Sequence, residues 1–205
     1  MRVLITAGPT REYLDPVRYV SNASSGRTGA ALAKAALLAD HQVTLVLGPS
    51  SAEPPDGAET IRITSAEEMF EAVAARFDAC DVFIASAAVA DYRPVAKRPE
   101  KIKKGEARLT VELERTPDIL AEMARRRRKQ ILVGFCLETE DLERRARGKL
   151  EAKGLDLVVA NGPEAIGADR QDALLIARHG PTQRLTDVTK MELASAILEA
   201  IRPPA

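Results

Sequence analysis

The 205-residue sequence has no net charge, its 30 lysines and arginines balancing 30 acidic residues. That balance removes any global electrostatic case for a nucleic acid or an anionic membrane as partner. No apolar run approaches the roughly 20 residues that span a bilayer, and Met1-Arg2 lead straight into strand-like Val3-Leu4-Ile5 rather than into a signal region. The expectation is a soluble cytoplasmic protein. Cysteine is scarce: Cys80 and Cys136 lie far apart in apolar, strand-like contexts and read as buried reduced thiols, not as a disulfide framework. With only His41 and His179, a histidine-built metal site is disfavoured, so any metal would be a hard ion held by oxygens. Tryptophan is absent and aromatics make up 3%, which makes each of the four phenylalanines conspicuous.

What the sequence does have begins with the stretch Val3 to Gly29. It reads as a buried strand (Val3 to Thr6), a long polar loop, and a helix entered through Ser24-Ser25-Gly26 and running to about Ala39. A helix that starts on small residues leaves its first N–H groups unpaired, and its dipole adds positive charge there, so the turn is an anion site. Gly8 and Gly26 stand 18 positions apart, and the compact glycine fingerprint of dinucleotide-binding units is therefore missing. Just upstream of the turn lie Arg18, able to grip phosphate or carboxylate through two parallel bonds, and Asn22, able to offer its amide to a developing oxyanion. Taken singly, the two read equally as a surface ion pair and a turn cap; grouped with Ser24, Ser25, Gly26 and Gly29 they point to a site.

Strands at Gln42 to Leu47, Glu59 to Ile63, Asp81 to Ala85, Gln130 to Phe135 and Leu155 to Ala160 alternate with helices from Thr64-Ser65 to about Arg76, from Thr116 (N-cap) with Pro117 at its first position to about Arg125, and from about Asp141. This alternation predicts an α/β fold: three layers, a mainly parallel sheet with helices on both faces. Ala107 to Leu113 reads as a strand with one wet face, Asp172 to Ala177 and Gln183 to Leu185 as an antiparallel hairpin, and Lys190 to Ile201 as a closing helix. The chain reads as one domain over residues 1–205, with an excursion between Arg93 and Thr116. The run Arg125 to Lys129 complements a helix C-terminus and is solvated surface.

Ligands in such sheets sit beyond the C-terminal strand ends. That rule selects Ser86 to Pro94, where Ala87 and Ala88 permit close approach to the backbone and Asp91 either holds Mg2+ at nucleotide phosphates or caps a turn. It also selects Phe135, which either stacks on a base or fills the core. Lys101 lies in a proline-containing loop, either a solvated cationic turn or a mobile loop closing over phosphates. Lys149 and Lys153 share a helix face, as phosphate ligands or as ordinary surface lysines.

Taken in order, these segments resemble the phosphopantothenoylcysteine synthetase family, the second activity of the bacterial bifunctional coenzyme A biosynthesis protein. The matching runs are Thr6 to Glu12, Asp15 to Asn22, Ser24-Ser25-Gly26, Ala87 to Tyr92, Lys101 to Lys104, Val133-Gly134-Phe135 and Lys153 to Asn161. Arg27-Thr28 depart from the Lys-Met common in bacterial members, and the flavin-dependent decarboxylase domain usually fused upstream is not within these 205 residues, which read either as a free-standing synthetase or as an excised domain.

The resemblance implies a Rossmann-like fold with a flexible lysine loop, and the CTP-using bacterial branch rather than the ATP-using one. It implies a ligase joining 4'-phosphopantothenate to L-cysteine through an acyl-cytidylate, releasing pyrophosphate and then CMP, with Mg2+ as cofactor. By the same carry-over, Asn22 serves turnover of the acyl-cytidylate, Arg18 the substrate site, Ala87 and Ala88 close contact, and Lys101 the activation step. More loosely, Asp91 would meet metal, Phe135 the base, and Lys149 and Lys153 phosphate, with Gly8 and the Ser24 to Gly29 turn at the nucleotide. It further implies a homodimer, with the Arg93 to Leu113 excursion and the late hairpin as candidate contact surfaces, and association with the decarboxylase. Two other classes compete: an NAD(P)-binding oxidoreductase, weakened by the missing fingerprint and by the lack of an acidic residue after the second strand, and a non-catalytic nucleotide-binding module.

Overall fold

A computed structural model of the chain describes residues 1–105 and 108–202. Its strands are β1 (Arg2–Ala7), β2 (Arg11–Tyr13), β3 (Tyr19–Ser21), β4 (Gln42–Leu47), β5 (Glu59–Arg62), β6 (Val82–Ala85), β7 (Tyr92–Pro94), β8 (Leu113–Arg115), β9 (Ile131–Leu137), β10 (Leu157–Asn161), β11 (Arg170–Ala177) and β12 (Gln183–Thr189). The helices are α1 (Arg27–Leu38), α2 (Ala66–Phe77), α3 (Ile119–Arg126), α4 (Leu142–Ala152) and α5 (Lys190–Ala200).

Eight strands form the main sheet in the order β12-β11-β10-β9-β6-β1-β4-β5. The six from β10 to β5 are parallel, and β11 and β12 extend the β10 edge antiparallel. The parallel strands are short apolar runs because both faces are covered. Val3, Ile5 and Ala7 of β1 pack with Leu32, Ala33 and Ala36 of α1 and Leu193 and Ile197 of α5. The intervening Leu4, with Phe83 of β6, packs on the opposite face with Met69 and Phe77 of α2, Met123 of α3 and Leu150 of α4. Phe77 and Phe83 meet edge to face, 5.9 Å between centroids.

From β1 the chain winds outward to β4 and β5, then returns across the sheet to β6 on the other flank of β1. The strand order therefore reverses between β1 and β6, which opens a crevice beyond their C-terminal ends. Gly29 lets α1 lie directly on this point: a Cβ there would stand 2.2 Å from the Cβ of Ala7. The α/β reading with a mainly parallel sheet and a small antiparallel extension holds.

Several local expectations are corrected. The loop after β1 contains the β2–β3 hairpin. It is tied down where the buried Glu12 accepts the Ala66 N–H at 2.8 Å. α1 begins at Arg27, not Ser25, because Gly26 takes a left-handed conformation (φ 75°) as its N-cap. Residue 107 of the expected Ala107 to Leu113 strand lies outside the described residues, and 108–112 form no strand. The strand is instead Leu113–Arg115, paired with Tyr92–Pro94. Asp118, not Thr116, caps α3, accepting from Ala121 N at 3.0 Å. Thr116 Oγ1 is committed elsewhere, donating to the Ala90 carbonyl at 2.6 Å. Among the described residues no helix is long and apolar enough to cross a membrane. Both cysteines are free and buried, and burial pushes the Cys80 thiol up to about 12.

Candidate functional site

The crevice opens into a cavity of about 880 Å3. Its floor is the row of C-terminal strand ends: Thr6 from β1, Ala85 from β6, Phe135 and Leu137 from β9, and Asn161 from β10. One wall is Ser24 to Gly29, the approach to and first turn of α1. That helix has no side-chain cap at its N-terminus and no acidic residue in its first turn. Its leading N–H groups are thus left for an anion.

Opposite stand Lys149 and Lys153 near the end of α4. Lys149 Nζ donates to the Phe135 carbonyl. Burial drives its pKa down, and the neighbouring Lys153 adds to the effect. Lys153 Nζ donates to both carboxylate oxygens of Asp118, at 2.9 and 2.7 Å. Burial pulls the Asp118 carboxyl upward, but its bond from Lys153 and the Ala121 N–H outweigh this and leave it below the usual range. Two lysine ammonium groups and an uncapped helix N-terminus lining one cavity give it a polarity suited to a polyanion.

Of the residues singled out from sequence, Ser24, Ser25, Gly26, Gly29, Ala87, Ala88, Asp91, Phe135, Lys149 and Lys153 converge on this cavity, together with Asn22. The Asn22 amide is engaged: Nδ2 donates to the carbonyls of Ala88 (3.1 Å) and Val89 (3.0 Å), so it holds the close-approach segment in place. Gly8 does not line the cavity. It turns the chain at φ 76°, where a Cβ would sit 3.1 Å from the Gly48 carbonyl oxygen, and its own carbonyl accepts the Ala88 N–H at 2.9 Å. Arg18 and Lys101 also lie outside the lining. Arg18 Nη1 bonds Asp15 Oδ2 (3.2 Å) and the Ile102 carbonyl (2.9 Å), which ties the lysine loop to the β2–β3 hairpin.

The carboxylates suit a magnesium ion held chiefly by ligand oxygens, for which one or two protein carboxylates suffice. Among the described residues no three His, Cys, Asp or Glu side chains converge. Asp91 is exposed at the cavity, while Asp118 is taken by Lys153.

Asn161, Arg27 and Lys190 are among the lining residues that the sequence reading did not single out. Asn161 is 9% exposed at the tip of β10, a position the strand-end rule would have selected. Arg27 follows the anion turn, and Lys190 opens α5. A lysine at a helix start reads as solvated, and nothing local signals that Lys190 is buried.

The DFP family model, DNA/pantothenate metabolism flavoprotein C-terminal domain, matches residues 1–203. The chain belongs to this family. As a member, it is 45% identical over 204 residues to the coenzyme A biosynthesis bifunctional protein CoaBC of Bacillus subtilis (strain 168), covering 97% of this chain and 50% of that protein. It therefore spans half the length of that relative. The crystal structure of the C-terminal domain of a coenzyme A biosynthesis bifunctional protein CoaBC superposes with a TM-score of 0.84 at 39% identity, covering 98% of this chain and 93% of that one. The DNA/pantothenate metabolism flavoprotein from Streptococcus pneumoniae superposes with a TM-score of 0.85 at 26% identity, covering 98% of both chains. The family resemblance read from the motifs is borne out, and this DNA/pantothenate metabolism flavoprotein C-terminal domain shares its fold with the CoaBC C-terminal domain.

Proposed function

We propose that the domain is a phosphopantothenate–cysteine ligase that activates 4'-phosphopantothenate with CTP and passes the acyl group to L-cysteine. The observation that carries this reading is the cavity at the β1–β6 switch point, with the uncapped start of α1 on one side and Lys149 and Lys153 on the other. The CoaBC relatives place such a domain in coenzyme A biosynthesis.

A carboxylate is a poor acyl electrophile because its leaving group would be oxide. In the first step a carboxylate oxygen attacks the α-phosphorus of CTP, the bond to the bridging oxygen breaks, and pyrophosphate leaves. This displacement needs alignment and charge neutralisation more than a protein base. The α1 N–H groups, Lys149 and Lys153 supply both. Lys101 joins them when its loop swings over the cavity from the Arg18–Ile102 tether. A magnesium ion, held by Asp91 and phosphate oxygens, would add further charge neutralisation.

In the second step the cysteine amine attacks the acyl carbon, the bond to the CMP oxygen breaks, and the amine loses a proton. Negative charge gathers on the carbonyl oxygen, beside Ala88 and Val89. Asn22 meets it by exchanging one backbone carbonyl for the acyl oxygen, one donor for one acceptor. Phe135 offers its ring to the base. We further propose a homodimer and, given the bifunctional relatives, a functional link to a flavin-dependent phosphopantothenoylcysteine decarboxylase.

The test is pyrophosphate release by purified protein with 4'-phosphopantothenate and Mg2+, CTP against ATP, with and without L-cysteine. Release with CTP supports the reading. No release with either nucleotide from folded protein overturns it in favour of a binding module.

A further inference from the structure

Between β10 and β11 the chain crosses the mouth of the cavity as Gly162–Asp169, and cations from two different helices fix this crossing. Lys190, the first residue of α5, donates from Nζ to the Ala165 carbonyl (3.0 Å) and to Oε1 of Gln171. Arg27, the first residue of α1, donates from Nη1 to the Gly167 carbonyl (3.1 Å) and pairs with Asp169. The two anchored carbonyls flank Ile166. Held on both sides, Ile166 stays 46% exposed and lines the cavity instead of folding into the core.

Lys190 is 9% exposed, and both of its acceptors are neutral. Burying an ammonium on such partners is a poor way to gain stability, since an apolar side chain of similar length avoids the desolvation. Its use lies in where it holds the segment. Gly167 (φ 72°) and the 3-10 turn Pro163–Ala165 bend the chain tightly, and the two clamps fix that bend above Asn161, at the end of the strand next to the one that carries Phe135.

We propose that Gly162–Asp169 is the wall against which the nucleoside of the bound nucleotide rests, with Ile166 as its contact and Lys190 and Arg27 as positioning residues. The inference rests on the nucleotide reading of this cavity and assigns its ends. Phosphates go to the α1 turn and the two α4 lysines, and the sugar and base go between Phe135 and Ile166. An exposed branched alkyl group offers nothing to phosphate but covers a ring or ribose face well.

The test is titration of CTP into the full chain by calorimetry, with steady-state KM for CTP and for 4'-phosphopantothenate measured in parallel. Ile166→Ala, at a half-exposed position, folds normally and raises KM and Kd for CTP about 5–10-fold, the order expected for lost apolar contact in a pocket. Lys190→Met raises KM for CTP about tenfold while kcat falls less, and Lys190→Arg restores most of the affinity, as a clamp acting through the Ala165 carbonyl requires. Wild-type affinity for CTP in Ile166→Ala overturns the proposal. So does an equal or larger rise in KM for phosphopantothenate, which would put the acyl substrate against this wall. If the wild-type protein itself neither binds CTP nor releases pyrophosphate, the ligase reading fails as well; if it does both and the variants match it, only this inference fails.

Discussion

Arg18 Nη1 donates to the carbonyl of Ile102 across 84 positions of sequence, while the Ile102 N–H donates to Oδ2 of Asp15 at 3.0 Å. The segment that carries Lys101 is thus clasped in both directions by the turn between β2 and β3. Asp15 is fully buried and also accepts the N–H groups of Val17 and Arg18. Burial pulls its carboxyl upward, but the three N–H donors and the Arg18 guanidinium prevail and hold it below the usual carboxylate range. Arg18→Ala and Asp15→Asn are therefore expected to speed tryptic cleavage at Lys101, Lys103 and Lys104 about tenfold and to slow pyrophosphate release. Unchanged cleavage in both variants would show that the clasp does not govern the loop.

Asn22→Ala separates the half-reactions. With one oxyanion donor removed, the transition state for attack by cysteine is expected to lose about 3–4 kcal/mol, two to three orders of magnitude in rate. Pyrophosphate release in the absence of cysteine should persist, with acyl-cytidylate accumulating, as read by quench and mass spectrometry. A variant that stops releasing pyrophosphate would assign Asn22 to activation, through its hold on Ala88 and Val89.

The sheet was legible because its inner strands are uninterrupted apolar runs such as Val82-Phe83-Ile84, which no other arrangement buries on both faces. Most of the cavity was legible for a related reason, since residues such as Ala87 and Phe135 follow or end such runs and the strand-end rule needs no side-chain detail. Two of the misreadings are settled by distant partners. Thr116 and Asp118 are equally good caps in sequence, and the carbonyl of Ala90, 26 positions away, takes Thr116. The β2–β3 hairpin has three residues per strand, too few for a period to register, and is fixed by its tie to the start of α2. The contact of Arg18 with Ile102 was not legible either, because Ile102 lies in a loop that sequence could not fold back onto it.

Lys149 gives the pH dependence. Burial lowers its pKa from the ordinary 10.5, with the charge of Lys153 adding to the shift. If its charge grips phosphate, CTP affinity should fall as pH rises through that lowered value, before an ordinary lysine titrates. Folding should show the opposite trend: the cost of burying the ammonium is present below the native pKa and fades as pH rises from there to 10.5, where the unfolded side chain also loses its proton. Calorimetric CTP titrations and denaturation from pH 7 to 10 read the two slopes. Lys149→Met should flatten both, and a CTP slope that survives in that variant would move the titrating group elsewhere.

Two glycine substitutions test the seating of α1. In Gly29→Ala the new Cβ would lie 2.2 Å from Ala7 Cβ and 3.0 Å from Ala7 Cα, which are atoms of the central strand and cannot rotate away. The helix must lift, at a cost of about 1–3 kcal/mol, and the anion turn lifts with it, so thermal stability and CTP affinity should fall together. Gly148→Ala, in the interior of α4 with nothing within 4 Å of the added Cβ, is the control and should stabilise the fold by about 0.5–1 kcal/mol.

Several of the exposed apolar side chains lie on or beside one of the two segments expected as contact surfaces. Val95, Leu109, Val111 and Leu113 on the excursion after β7 are all exposed, and so are Val17 and Val20 near the clasp. The late hairpin, β11 and β12, has no large exposed apolar side chain among the described residues, and its outer strand presents Gln183, Arg184 and Asp187, as an unpaired sheet edge should. Of the two candidate contact surfaces, the excursion is therefore the one to test, because clustered apolar exposure rimmed by charge marks an interface. Sedimentation velocity at micromolar concentration is expected to show a dimer of the 205-residue chain. Leu109→Asp combined with Val111→Asp should convert it to a folded monomer, because both side chains already stand in solvent and their replacement leaves the sheet core untouched. A wild-type protein that sediments as a monomer, or a double variant that still dimerises, would remove this surface from the assembly.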